Sequence, residues 1–155
     1  MLTFLRNLFR KGPSQDHFKN DLKHLITDVH SHLVPGVDDG ASDMSSALAL
    51  ISRLHQLGFE RLVTTPHIMS DLYPNTPDIL QPRFNELKVE VAKRLPSLKL
   101  ILAAEYFLDT SFIALLENPD ELLTFPCTDP LNGEKHEMLL FEFAFTSHTE
   151  LCFSL

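Results

Sequence analysis

In Asp28-Val29-His30-Ser31-His32-Leu33-Val34-Pro35-Gly36-Val37-Asp38-Asp39-Gly40 a strand runs into a polar loop. The preceding run, Leu25-Ile26-Thr27-Asp28-Val29, reads as the strand, and it ends in the cluster His30-Ser31-His32. On an extended backbone residues i and i+2 point the same way, so both imidazoles can face one ion. Pro35-Gly36 and Asp38-Asp39-Gly40 supply turn chemistry.

Outward from this stretch the chain alternates strands and helices. Ser42 or Asp43 can cap a helix in which Met44, Ala47, Leu48, Ile51, Leu54 and Leu57 keep helical spacing, and Gly58 closes it. Arg61 to Thr65 is a second strand, ending at Pro66-His67. The stretch from Ile68 to Asp78 is an extended loop, with Tyr73 near the centre of a segment that could flank a substrate entrance. A second helix runs from about Ile79 to Leu95, with Leu80, Phe84, Leu87, Val91 and Leu95 on one side. Lys99 to Ala104 is a third strand, ending at Glu105. A short helix around Ser111 to Glu117 and a turn-rich stretch lead to a fourth strand, Met138 to Phe143. This alternation predicts an α/β fold with a parallel sheet and crossover helices. His30 and His32, His67 and Glu105 all fall at strand C-termini, which is where catalytic groups gather in βα barrels.

At 155 residues the chain suits one domain with a real core. Residues 13–24, polar and charged after Gly12-Pro13, read as a linker, so residues 1–24 form an extension and residues 25–155 the domain. The start interleaves Phe4, Leu5, Leu8 and Phe9 with Arg6, Arg10 and Lys11. It lacks a signal peptide's continuous apolar stretch, while a basic amphipathic segment allows peripheral contact with a membrane surface. No apolar run reaches the length of a membrane helix. The net charge of −8 argues against nucleic acid as a partner, because phosphate backbones are bound by clustered Lys and Arg. Metal cations can still supply local positive charge for a phosphorylated substrate. The two cysteines, Cys127 and Cys152, do not suggest a disulfide framework, which favours the cytoplasm.

Chemistry narrows further by elimination. A cysteine-dependent phosphatase needs a thiolate with an arginine six residues on, but Gly133 stands at that distance from Cys127, and Cys152 is three residues from the end. Neither a phosphate loop nor a nucleophile elbow is present. Glu105, after the apolar run Leu100 to Ala104, needs a partner if buried, since an unpaired buried charge is costly. A lone strand-end glutamate more often pairs with Arg or Lys; beside His30, His32, Asp38, Asp39 and His67, a metal could serve several of these groups together. Imidazole and carboxylate without thiolate suit manganese, iron or zinc. Such a site could activate water and neutralise a phosphoryl group without a covalent enzyme intermediate.

Asp28 to Gly40 closely resembles the opening motif of the manganese-dependent tyrosine phosphatases of bacterial capsular and exopolysaccharide synthesis, members of the polymerase-and-histidinol-phosphatase (PHP) superfamily. Thr64-Thr65-Pro66-His67 resembles their second motif, and Ala103-Ala104-Glu105 stands where they usually have Gly-x-Glu. The likeness extends over most of residues 25 to 145. It implies a distorted (β/α)7 TIM-like PHP barrel with up to three metal ions, acting on the phosphotyrosine tail of a kinase that regulates polysaccharide export. By position, His30 and His32 would hold one ion, Glu105 would bridge two, and Asp39 and His67 would serve the third. Asp28 would orient a ligand from behind, and Asp38 would do likewise or cap the loop.

The departures are as informative. Members of that family are longer, and their later strands bring a His with a neighbouring Arg and then an Asp-x-His pair that nothing here matches. The expectation is a PHP barrel domain incomplete at its C-terminus, truncated to about the first four βα units. His148 lacks the matching context, and His136, in a charged turn segment, is expected at the surface. The apolar ending Leu151 to Leu155 looks like the start of a helix that should continue, and the open sheet edge of half a barrel is an association hazard; a fragment is the preferred account over a homo-oligomer that covers the edge. Two further readings stay open: a histidinol-phosphatase-like phosphoesterase, and a metal-binding fragment without turnover that still docks the kinase.

Overall fold

The computed structural model describes residues 25–144. Strand β1 (Thr27–Ser31) pairs in parallel with β2 (Arg61–Thr64), which pairs in parallel with β4 (Lys99–Leu102). Between Asp28 and Ser31 the β1 register shifts by one residue against β2. An extra residue at such a point bends the strand and re-aims its side chains. Here the irregularity falls at Val29 and His30, and β1 lies two residues later than the run expected from Leu25 to Val29.

Helix α1 (Met44–Gln56) crosses from β1 to β2, and α2 (Pro77–Arg94) precedes β4. Asp43 caps α1 reciprocally: Ser46 N donates to Asp43 Oδ1 (2.8 Å) and Asp43 N to Ser46 Oγ (3.1 Å). Gly58, at φ 109°, ends it in a backbone conformation that suits glycine. Helix α2 begins two residues before the expected start, because Thr76 caps it and Pro77 fits a first turn whose N–H would lack a partner anyway. Ala47, Leu48 and Ile51 of α1 and Phe84, Leu87 and Val91 of α2 bury against Leu62 and Leu100 of the sheet, with Leu33 and Val34 beneath the β1 loop.

A second parallel sheet begins where the first stops. It comprises β3 (His67–Ile68), β5 (Glu105–Phe107) and β8 (Leu140–Glu142), with β5 in the middle. Thr65-Pro66 separates β2 from β3, and Ala103-Ala104 separates β4 from β5, so the expected third strand is broken before Glu105. Pro66 has no N–H for the ladder, which suits a break there. Behind this sheet, Ala104, Tyr106 and Phe112 form a smaller core, Phe112 coming from helix α3 (Thr110–Leu115).

The expected fourth strand is also divided. Its first part belongs to an antiparallel hairpin of β6 (Phe125–Thr128) and β7 (Lys135–Met138), and only Leu140–Glu142 joins the second sheet. Most hairpin residues are exposed, so no apolar alternation marks it in the sequence. The architecture is therefore mixed α/β, with two three-stranded parallel sheets that do not close into a barrel among the described residues. No described helix is long and apolar enough to cross a membrane. Residues 1–24, His148, Cys152 and the apolar ending lie outside the described residues.

Candidate metal centre

The break between the sheets positions the side chains. Thr64 and Thr65 are fully buried there. Thr64 Oγ1 donates to Ser31 O (3.0 Å) and accepts from Leu33 N (2.9 Å), which ties the end of β1 to β2. In the second sheet His67 stands opposite Glu105 in register, so the two side chains share a face. His67 Nδ1 lies 3.2 Å from Glu105 Oε2.

From the end of β1, His30 and His32 (one residue beyond the strand) approach the same carboxylate, with Nε2 at 3.6 Å from Oε1 and 3.3 Å from Oε2 respectively. Their rings are 5.2 Å apart, so the pair does converge as the His-x-His spacing predicts. The opposite nitrogen of each ring is held: His30 Nδ1 is 2.8 Å from Thr65 Oγ1, and His32 Nδ1 is 2.7 Å from Asp38 Oδ2. A partner on one ring nitrogen fixes where the other points. Asp38 also accepts from Gly40 N and His67 N, both at 3.0 Å. It therefore caps the loop and orients a histidine at once, the two roles left open by the sequence.

Asp39 is more exposed, its Oδ1 3.6 Å from His67 Nε2. Asp28 lies two residues before His30 on β1, outside the converging groups. Burial raises its pKa, against a hydrogen bond with Ser31 and the influence of His30. Glu142 is a member that sequence reasoning missed: its Oε1 lies 3.2 Å from His67 Nδ1. The available signal was a charged residue within the apolar run Leu139 to Phe143, near a strand end, which is also how Glu105 was found. His136 lies on the hairpin, exposed as expected and beside Glu134.

Electrostatically the cluster is strongly coupled. Burial disfavours protonation of His32, but the Asp38 hydrogen bond and the carboxylates of Asp38 and Glu105 outweigh it and raise its pKa to about 9. Burial likewise opposes ionisation of Glu105, yet the surrounding His32, His30 and His67 hold it below the usual glutamate range. Three atoms, His32 Nε2, His67 Nδ1 and Glu105 Oε2, are buried without a hydrogen-bond partner. Those facing one another lie 3.2 to 3.3 Å apart but are misaligned for hydrogen bonding. Buried polar atoms are rarely left so, because the desolvation cost is uncompensated.

A divalent cation fits these donors. Three overlapping groups each present nitrogen or oxygen atoms within 4.8 Å of one another: His30, His32 and Glu105; His32, Asp39 and His67; His67, Glu105 and Glu142. This donor set suits a borderline or hard metal. Above it, the Tyr73 ring stacks on His67. Burial first, then the charges of Asp39 and Asp38, raises the Tyr73 phenol above its ordinary value.

The molecule is thus an α/β domain with a histidine–carboxylate candidate metal centre at the seam of two parallel sheets. It belongs to the capsular polysaccharide synthesis CpsB/CapC family, whose model matches residues 26–149. It is similar to tyrosine-protein phosphatase CpsB of Streptococcus agalactiae, 29% identical over 92 residues, covering 59% of this chain and 38% of that protein. Tyrosine-protein phosphatase YwqE of Bacillus subtilis is 26% identical over 68 residues, 44% of this chain and 27% of the relative. The fold matches a chain from the crystal structures of YwqE from Bacillus subtilis and CpsB from Streptococcus pneumoniae, described as unique metal-dependent tyrosine phosphatases. That match has a TM-score of 0.62 at 24% identity and covers 77% of this chain and 44% of the other. The chain spans less than half the length of these relatives.

Proposed function

We propose that this chain carries a metal centre for hydrolysis of phosphotyrosine monoesters, with His30, His32, Asp39, His67 and Glu105 as ligands. Glu142 joins them. The observation that carries this reading is the convergence of three unpartnered buried atoms on one point between the two sheets. Membership of the CpsB/CapC family and the tyrosine-phosphatase relatives support the substrate class. Manganese is the favoured ion, with iron or zinc as alternatives and up to three ions in a complete site. Bound there, such an ion supplies Lewis acidity, making water a stronger nucleophile and offsetting phosphoryl charge.

The chain's own groups prepare that chemistry. Thr65 and Asp38 hold the Nδ1 atoms of His30 and His32, which leaves each Nε2 directed at Glu105. Glu105, in contact with three imidazoles, is the natural bridging carboxylate. Asp28 and Asp38 serve as orienting groups rather than ligands. The protein partner on this reading is the phosphotyrosine-bearing tail of a cytoplasmic tyrosine kinase in polysaccharide synthesis. The two sheets then read as adjoining staves of a distorted (β/α)7 barrel of PHP type, about four βα units of it here. Residues 25–155 belong to that domain, and residues 1–24 are an extension.

The test is hydrolysis of para-nitrophenyl phosphate and a phosphotyrosine peptide by the purified chain with added manganese, alongside a His30→Ala/His32→Ala variant and metal analysis. Manganese-dependent turnover that the variant loses is the expected result. Bound metal without turnover makes the chain a binding fragment, and the absence of both removes the metal-centre reading.

A further inference from the structure

Tyr73 lies against His67 with ring centroids 5.3 Å apart and planes 9° from parallel. Its position is anchored from three sides. Met69 and Tyr73 exchange both backbone hydrogen bonds, at 2.9 and 3.0 Å. The Asn75 amide donates to His67 O (2.7 Å) and Val37 O (3.0 Å). Ser70 Oγ donates to Asp109 Oδ2 (2.7 Å), at the cap of α3. A loop held in this way, with its ring stacked on His67, loses less further freedom when a ligand packs on it, which favours binding.

The chemistry on the two sides of this ring differs. Toward the sheets lie imidazoles and carboxylates, suited through a metal to a phosphoryl group. Tyr73 is partly exposed, and one face of its ring is stacked on His67. Leu72 beside it is 69% exposed. A phosphomonoester with its phosphoryl group in the cluster would direct its organic part toward this apolar rim. A flat aromatic group matches the rim better than a short alkyl chain, since paired aromatic rings gain beyond their buried area.

We propose that Tyr73 is a positioning residue for aryl phosphates, its ring packing against the substrate's aromatic ring while the phosphoryl group occupies the histidine–carboxylate cluster. The proposal rests on the phosphatase reading above. An aromatic pair of this kind contributes about three- to tenfold in affinity. The hydroxyl is not required for that packing, so Tyr73→Phe retains the effect.

The experiment compares binding of phenylphosphonate and methylphosphonate, neither of which is hydrolysed, to the manganese-loaded chain by calorimetry. Wild type, Tyr73→Phe and Tyr73→Ala are compared at matched manganese occupancy. Wild type and Tyr73→Phe are expected to prefer phenylphosphonate equally, and Tyr73→Ala to lose about three- to tenfold of that preference with methylphosphonate affinity unchanged. A second readout is optical. The chain has no tryptophan and two tyrosines. In a Tyr106→Phe background the tyrosine fluorescence therefore reports Tyr73 alone, and it should respond to phenylphosphonate but not to methylphosphonate. If Tyr73→Ala keeps the preference, or weakens both ligands equally, the ring merely supports His67; the proposal is overturned and the phosphatase reading stands. If neither phosphonate binds manganese-loaded wild type, both fall.

Discussion

One carboxylate, Asp38, holds three parts of the site, accepting from the His32 ring, from Gly40 N and from His67 N. Removing such an orienting group typically costs about 10- to 100-fold in metal affinity. Asp38→Ala is expected to fall in that range by chelator competition for manganese, with the fold retained by circular dichroism. The same pair sets a pH dependence in the metal-free chain. The His32 pKa is raised above its ordinary 6.5 to about 9. Its contribution to stability is therefore fully present below about pH 6.5 and is lost as pH rises through about 9. Thermal melts of metal-free protein should decline across that window, and Asp38→Ala should flatten the decline. Beside this carboxylate, a Cβ at Gly40 would collide with the Cβ and carbonyl of His32. Gly40→Ala therefore forces the loop to move, with an expected loss of about 1–3 kcal/mol in denaturant unfolding. At this scale much was legible in the sequence. His30, His32, His67 and Glu105 stand out as polar groups at the ends of apolar strands and Asp39 in the loop after the first, and the structure gathers them. Glu142 did not stand out, because its strand is three residues long and follows directly on a surface hairpin.

Helix α3 has only six residues, so its cap matters more than its propensity. Asp109 Oδ1 accepts from Phe112 N (2.8 Å), while Oδ2 accepts from Ser70 Oγ (2.7 Å). Burial opposes its ionisation, but the donors of Phe112 and Ser70 outweigh burial and lower its pKa. That stabilisation is present above the unfolded value near 3.8 and disappears as pH falls through the lower folded value. Amide exchange at Phe112 and Ser70 should therefore accelerate, beyond the intrinsic trend, only as pH falls below about 4. Asp109→Ala should cost about 1 kcal/mol and loosen the Tyr73 loop at every pH. Among the longer helices, α1 was legible from its capping pair, its spacing and Gly58. The hairpin of β6 and β7 was not, since strands held by ladder hydrogen bonds with little burial leave no hydrophobic period to read.

Across the whole molecule the parallel α/β order followed from the alternation of strands and helices, whereas the division into two sheets did not. Thr65-Pro66 and Ala103-Ala104 read locally as the ends or continuations of strands; only the bonds of Thr65 N to Ser31 O, Ala103 N to Thr64 O, Ala104 N to Leu123 O and Glu105 N to Pro66 O reveal two ladders. Each sheet has its own buried cluster, one around Leu62 and Ile51, the other around Tyr106 and Phe112. Leu62→Ala is expected to destabilise the first by about 2–5 kcal/mol. Its calorimetric transition should split more readily from that of the second cluster in metal-free than in manganese-loaded protein. His30 lies on β1 of one sheet and His32 one residue beyond its end, while Glu105, His67 and Glu142 come from the other sheet. Whatever occupies the space among them also fastens the two sheets together. On the metal-centre reading, supply of the ion would then govern how long the chain survives proteolysis, so that starvation for it would remove the protein itself.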